Sequence, residues 1–459
     1  MIQPLLDPGF EPAVHWVRRY REACEAEPAS RDVVIALERP DGTVYTVPLR
    51  LLPASDAHAA RTHRYVERMV KFLLWQKGGS TIAVCGAPDV AAHLGGIYCA
   101  DGERAFDADL MGTRVFLAGV RVVSRDLEEA PARHEPKVSV GGSTEGCRIG
   151  FDLGGSDRKC AAVIDGKVVF SEEVEWDPYF QSDPEYHTSG IRHSLEQAAA
   201  HLPRVDAIGG SAAGIYIESE PRVASLFRGV SDADFAARVR PLFRTLRAEW
   251  DDVPFVVAND GDVTALAGAR SLGDCPVLGI AMGTSMAAGY CDANGHITSW
   301  LNELAFVPVD FREDAPADEW SGDLGCGVQY FSQQAVARLM PAAGIVVDDP
   351  ALSLPDRLKQ VQSLMDGGDE RARKIYQTLG AYLGYGLAWF AEFYELKHVL
   401  LMGRVTSGPG GAIIIAEAED ILRAEFTAVA GAVSISAPDE TMKRHGQAIA
   451  AASLPSLAG

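Results

Sequence analysis

Apolar and polar positions alternate with period two in some stretches of the chain and with helical period in others. Val33–Leu37 and Thr43–Leu51 read as two strands, and Asp41-Gly42 between them supplies a hairpin turn. His58–Gln76 places Val66, Met69, Val70 and Leu73 at helical spacing, and Thr81–Cys85 follows as a short apolar run expected to be a buried strand. The pattern then lapses. Residues 133–147 are polar and rich in Gly and Ser, and mark the expected domain boundary.

Beyond it the order of elements is clearer. Arg148–Asp152, Lys159–Ile164 and Lys167–Glu173 predict a three-strand meander with turns at a Gly pair and at Asp165-Gly166. Ile191–His201 reads as a helix, Ala207–Ser211 as a strand, Asp232–Trp250 as one long helix, Pro254–Ala258 as a strand and Val263–Ala269 as a short helix. Pro276–Ala281 begins the pattern again, with Met286–Asp292 and a hairpin at Asp292–Gly295. Later come the helix Arg371–Leu396, the strand His398–Met402, the helix Ile413–Ala428, the strand Val433–Ser436 and the helix Met442–Leu454. One module therefore starts twice, near residues 148 and 277, and predicts an α/β protein built on a duplication. Gly380, Gly384 and Gly386 lie inside a predicted helix, where each costs about 1 kcal/mol against Ala, so close packing against a neighbour is expected there.

Length and charge narrow the function. At about 150 residues per domain, 459 residues suggest two or three domains. The formal net charge of −21 speaks against binding nucleic acid or an anionic membrane through bulk positive charge. It leaves room for phosphorylated substrates held by backbone amides and a divalent cation. The first residues, MIQPLLDPGF, do not read as a secretory signal, and no apolar window is long enough to span a membrane. The 8 cysteines contain no CxxC pair, the usage expected of reduced thiols in a cytoplasmic protein.

Four segments carry candidate chemistry. In Gly150–Lys159, Gly154 and Gly155 permit positive φ and close approach of an anion, Ser156 can donate to a phosphate oxygen, and Asp152 can hold magnesium through water. In Gly279–Gly289, Gly283, Thr284 and Ser285 offer a second cradle of amides and hydroxyls. In Val256–Asp262, Asp260 stands at a strand's C-terminal end, where it can take the proton of an attacking hydroxyl, and Asn259 can bond neighbouring hydroxyls. The bland alternative there is a helix N-cap at Asp262 or Asp260. In Val399–Gly411, a strand enters a Gly-rich loop against which a base and ribose can rest.

The order Asp-Leu-Gly-Gly-Ser…Lys, Asn-Asp, Gly-Thr-Ser, Met-Gly-Arg-Val-Thr-Ser-Gly resembles the sugar kinases of the actin/hexokinase/Hsp70 superfamily, and most closely the ROK family, over about residues 147–455. The resemblance implies two ribonuclease-H-like (actin-like ATPase) domains around a nucleotide cleft. The first would span 146–265, with helix 442–455 returning to it, and the second 266–441; residues 1–145 would form an α+β accessory domain. ATP would be bound by Asp152, Gly154, Gly155, Ser156, Lys159, Gly283, Thr284, Ser285, Gly403, Arg404 and Ser407, with magnesium at Asp152. Asp260 would be the general base. Asn259, Glu303 and the Ala213-Gly214 turn would orient the sugar, and His445-Gly446-Gln447-Ala448 resembles the family's terminal helix. Many members hold a structural zinc through a His and three cysteines. Here the His position is Phe306 and one cysteine, Cys326, remains, so no zinc is expected. Ala213 replaces a proline beside the sugar. The N-terminal unit shows neither a helix-turn-helix pattern nor a basic face, which speaks against a repressor. The expected activity is an ATP-dependent carbohydrate kinase acting on a small-molecule sugar, with a homodimer as the family's implication. The alternatives are a non-catalytic sugar or nucleotide sensor and an ATPase coupled to a protein partner.

Overall fold

The computed structural model describes residues 1–136, 140–347, 349, 351–438 and 440–457, with side chains described outside 440–445. Residues 137–139 of the expected boundary, and the side chain of His445, lie outside that description.

The protein is α/β. Strands β1 (Arg31–Glu38), β2 (Val44–Leu51), β3 (Thr81–Cys85) and β4 (Arg121–Arg125) form an N-terminal sheet of order β2-β1-β3-β4. Alternation places Val33, Ile35 and Leu37 on the face that enters the main core. The helix Asp56–Lys77 is buried continuously from Tyr65 onward, far more than one amphipathic stripe requires. Its companions include residues of the second lobe: Trp75 stacks on Phe306, with ring centroids 4.1 Å apart. A helix the apolar pattern had not flagged, Ala13–Ala26, buries Val14, Val17, Tyr20 and Cys24 in the same core. The N-terminal chain is tied to the second lobe by polar contacts as well. Asp7 pairs with Arg312 at 2.8 Å and accepts from Tyr382 at 2.6 Å.

The first lobe is a mixed sheet of β5 (Cys147–Leu153), β6 (Asp157–Ile164), β7 (Lys167–Glu175), β8 (Ala207–Ala212) and, after a short antiparallel pair β9 (Ile215–Ile217) and β10 (Glu220–Val223), β11 (Phe255–Asn259). Its order is β11-β8-β5-β6-β7, with β5, β6 and β7 antiparallel and β5, β8 and β11 parallel. The long helix expected at Asp232–Trp250 is broken. A π-helical turn, Phe235–Val239, precedes Pro241, which has no N–H to donate, and the α-helix proper is Leu242–Glu249.

The second lobe repeats the module with one strand fewer: β12 (Val277–Met282), β13 (Met286–Cys291), β14 (His398–Met402) and β15 (Ser434–Ser436), in the order β13-β12-β14-β15. After the Asp292–Gly295 turn Ile297 pairs with Cys291 and with Val140. Helices Glu370–Phe390 and Pro409–Glu425 pack closely. A Cβ on Gly380 would lie 2.7 Å from the Ile414 carbonyl and one on Gly384 2.9 Å from that of Ala418, so the interior glycines admit the neighbouring backbone. The C-terminal helix Glu440–Ala452 returns to the first lobe, where Ala448 and Ala452 pack on Ala161 and Val163. No helix among the described residues is long and apolar enough to cross a membrane.

Candidate active site

The parallel strands β5, β8 and β11 bring their C-terminal ends to one edge, where open α/β sheets place ligands. Asp152 stands opposite Ser211, whose hydroxyl donates to Asp152 Oδ1 at 2.6 Å. Burial pushes the Asp152 carboxyl up to about 6; the charge of Asp260 adds to the rise, and the Ser211 hydrogen bond and Lys159 oppose it.

Asn259 ends β11 and caps the helix Asp260–Leu272. Its side chain accepts from the Gly261 N–H at 2.7 Å and donates to the Gly214 carbonyl at 2.7 Å. The N-cap is thus Asn259, not Asp260 or Asp262. An amide caps and bridges at once, since it carries both an acceptor and donors. Asp260 becomes the first helical residue, and burial raises its carboxyl above the ordinary range.

Asp262, within the same first turn, reaches into the second lobe. It accepts from the Tyr290 N–H at 3.0 Å and from Asn302 Nδ2 at 2.8 Å, and burial pushes it up to about 7. Asn302 Oδ1 accepts in turn from Tyr394 at 2.9 Å. The next residue, Glu303, has burial and the charges of Asp260 and Asp262 to lift it to about 8. The C-terminal carbonyls of helix Asp56–Lys77 hold this segment. Those of Gln76 and Trp75, which have no partner inside their own helix, accept from Leu301 at 2.9 Å, Asn302 at 3.1 Å and Glu303 at 3.0 Å. The N-terminal unit, in which the sequence shows no chemical constellation, therefore positions Glu303.

Asn259 and Asp260, joined by one peptide, line two different cavities. One, of about 490 Å³, is lined by Gly214, Asn259 and Asp262 and, from the N-terminal hairpin, by Arg39 and Asp41. The other, of about 320 Å³, is lined by Asp260, Thr264, Gly279, Met402 and Gly403. Gly403 has φ +97°, and a Cβ there would lie 2.5 Å from the Met282 carbonyl, so this wall admits no side chain.

Most of the remaining predicted residues lie on turns; Lys159 lies near the start of β6 and Arg404 opens a short 3-10 turn. Ser156 donates to Asp157 Oδ2 at 2.9 Å, and Lys159 pairs with Asp157 Oδ1 at 3.2 Å. Neither Gly154 nor Gly155 takes the positive φ that the sequence allowed. Gly155 is instead needed for room, since a Cβ would lie 2.0 Å from the Tyr179 hydroxyl. Thr284, Ser285, Arg404 and Ser407 are exposed. The Gly283 N–H donates to the Ser285 carbonyl, and the Ser407 hydroxyl to that of Gly403. No hydrogen bond or ion pair among the described residues joins the 154–159 turn to the 283–285 turn. Ala213 accepts from Tyr216 at 3.5 Å. Cys326 is buried beside Asp323 and Lys71, and no group of three or more His, Cys, Asp or Glu among the described residues could hold a metal ion.

No protein-family model matches the chain, and no curated protein does. Solved structures do. A ROK hexokinase from Thermus thermophilus aligns with TM-score 0.51 at 19% identity, over 67% of this chain and 96% of that one. A putative N-acetylmannosamine kinase from Listeria monocytogenes aligns at 0.50 and 16%, over 67% and 97%. A ROK family transcriptional regulator, homologous to the E. coli MLC protein, aligns at 0.52 and 18%, over 67% and 76%. The chain has the ROK fold. Its two α/β lobes share the fold of these structures, and about a third of the chain lies outside each match.

Proposed function

We propose that the protein is an ATP-dependent carbohydrate kinase in which Asp260 is the general base. The observation that carries this is the Asn259–Asp260 peptide, one residue of which lines each of two cavities. The larger of the two takes the acceptor sugar and the smaller takes part of the nucleotide. Asn259 has one amide hydrogen left after its bond to Gly214, and offers it to a sugar hydroxyl. Glu303, lifted to about 8, is protonated near neutrality and donates to a sugar oxygen. Ala213 and Gly214 form the turn beside the sugar. Asp260, ionised, takes the proton of the acceptor hydroxyl as its oxygen attacks the γ-phosphorus and ADP leaves.

The residues fit nucleotide and magnesium. The charge of Asp260 raises the affinity of Asp152 for positive charge, and a divalent cation would relieve that repulsion. Asp152 is the residue that would hold magnesium, with phosphate oxygens and water completing its shell and the ion offsetting phosphate charge. Gly154, Gly155, Ser156 and Lys159 on one side and Gly283, Thr284 and Ser285 on the other would flank the phosphates; Gly403, Arg404 and Ser407 would border the adenosine.

One observation favours a second possibility, a sensor that binds sugar without turnover. Phe306, at the position where the resemblance implies a His, is stacked on Trp75 and has no polar atom to offer a sugar. ADP release from Mg-ATP across hexoses, amino sugars, acyl-amino sugars and polyols decides between them. Release stimulated by one class and lost in Asp260→Asn is expected. Binding of sugar with no release makes the protein a sensor, and release without sugar dependence makes it an ATPase.

A further inference from the structure

A cavity of about 1070 Å³ lies outside the catalytic arrangement. It sits where the N-terminal hairpin and the end of helix Asp56–Lys77 meet β13 and the segment after it, and its walls include Tyr45, Lys77, Arg133, Glu135, Tyr290 and Trp300. Lys77 is 7% exposed and lies over the rings of Tyr45 and Trp300. Among the described residues its ammonium makes no hydrogen bond and has no carboxylate within ion-pair distance. Of the four acids that line the cavity, Glu395 makes no ion pair with Lys77, and the other three are engaged elsewhere. Glu135 accepts from Trp300 Nε1 at 2.9 Å and pairs with Arg133, Glu392 pairs with Arg21 at 2.8 Å, and Asp292 Oδ1 accepts the N–H groups of Asn294 at 2.9 Å and His296 at 3.0 Å. Arg39, on the wall of the neighbouring acceptor cavity, is another buried cation without a carboxylate partner, its guanidinium donating to the carbonyls of Lys77 and Ser299.

An ammonium buried without a bonded partner is costly, and folded proteins pair such groups. The same helix shows the ordinary solution at Lys71, which bonds both oxygens of Asp107 at 2.8 and 3.0 Å and lies 3.1 Å from Asp323. Lys77 has no such partner on its cavity wall, burial holds its amine down to about 6, and an anion placed beside it would restore the charge.

We propose that this cavity is a second ligand site, for a small anionic carbohydrate. The Lys77 ammonium meets its carboxylate or phosphate, and the rings of Tyr45 and Trp300 meet the apolar face of the sugar. The site borders the acceptor cavity, because Ile297, Thr298, Ser299 and Trp300 line both. It does not depend on the kinase reading, since it is read out by binding alone.

The test uses the full chain, with thermal unfolding and isothermal titration of D-glucuronate and D-glucose 6-phosphate against neutral D-glucose. Lys77→Met removes the charge and keeps the stem. Asn259→Ser keeps a helix cap and removes the amide from the acceptor cavity. At least one anion is expected to stabilise the wild type, with its dissociation constant raised tenfold or more by Lys77→Met and changed less than threefold by Asn259→Ser. Glucuronate binding alone identifies a carboxylate site, and the phosphate ester alone a phosphate site. The proposal is overturned if neither anion binds, if Lys77→Met binds them as the wild type does, or if Asn259→Ser loses them equally, which moves the anion to the acceptor cavity.

Discussion

Replacing Gly289 by Ala tests whether Asp260 is placed by contact between the lobes. Gly289 lies on β13 against the first turn of the helix that Asp260 opens. A Cβ there would stand 2.0 Å from the Gly261 carbonyl carbon, 2.1 Å from its oxygen and 2.2 Å from the Asp262 nitrogen. Every one of these atoms is backbone, so no rotamer relieves the overlap. Reaching the 3.4 Å of ordinary contact requires strand and helix to part by about 1.4 Å, and Gly261 is the residue bonded to Asp260. A displacement of roughly 1 Å at reacting groups costs about 10²-fold in rate, or about 2.7 kcal/mol. Sugar-stimulated ADP release should therefore fall about a hundredfold in Gly289→Ala. Gly96→Ala, in helix Pro88–Ile97 with nothing within 4 Å of the added carbon, serves as the control and should leave turnover unchanged. Turnover in Gly289→Ala within threefold of wild type, with an unchanged melting temperature, would refute the reasoning.

Other consequences follow from buried charge. Lys71→Met leaves the carboxylates of Asp107 and Asp323 buried without their ammonium, and should lower the unfolding free energy by about 3–5 kcal/mol in denaturant titration; a loss under about 1 kcal/mol would contradict the pairing. Asp152, Asp262 and Glu303 are held up to about 6, 7 and 8 in the folded protein, so the folded state binds protons more tightly than the unfolded one. Their contribution is full below the unfolded carboxyl values and is lost as pH rises through 6 to 8, while the Lys77 amine, held down to about 6, acts the other way; the fall in ligand-free stability from about pH 5.5 to about pH 8.5 should therefore be smaller in Glu303→Gln than in the wild type, and an equal fall would contradict the burial of Glu303. Because burial raises Asp260 and the base must be ionised, the acid limb of kcat/KM should lie above the ordinary carboxylate value of 3.8, and a limb at or below it would count against Asp260.

Much of the first lobe was legible because strand ends announce themselves. Asp152 and Asn259-Asp260 each close an apolar run at a glycine-bearing turn, and the repeat of that pattern near 277 pointed to duplication. What stayed hidden is non-local. Asp262 reads as an N-cap candidate until Tyr290 and Asn302 are seen to donate to it across the lobes. Nothing in the sequence places the C-terminal carbonyls of Trp75 and Gln76 against Leu301–Glu303, so the N-terminal unit's part in holding Glu303 could not be read. Other misses had a local signal. Val14, Val17, Tyr20 and Cys24 recur at helical spacing before any predicted element, and Pro241 inside the expected 232–250 helix marks its break.

Phosphoryl transfer to a sugar with Asp260 as base is the chemistry proposed for this protein. The most direct measurement is phosphorus NMR of Mg-ATP mixed with the sugar that stimulates ADP release, for wild type and Asp260→Asn, with nucleotide affinity measured alongside. A phosphomonoester resonance on the sugar in the wild type, lost in a variant that still binds ATP, is the predicted result. A sugar phosphate formed at the same rate by Asp260→Asn, or ADP and inorganic phosphate with no sugar ester, would contradict it.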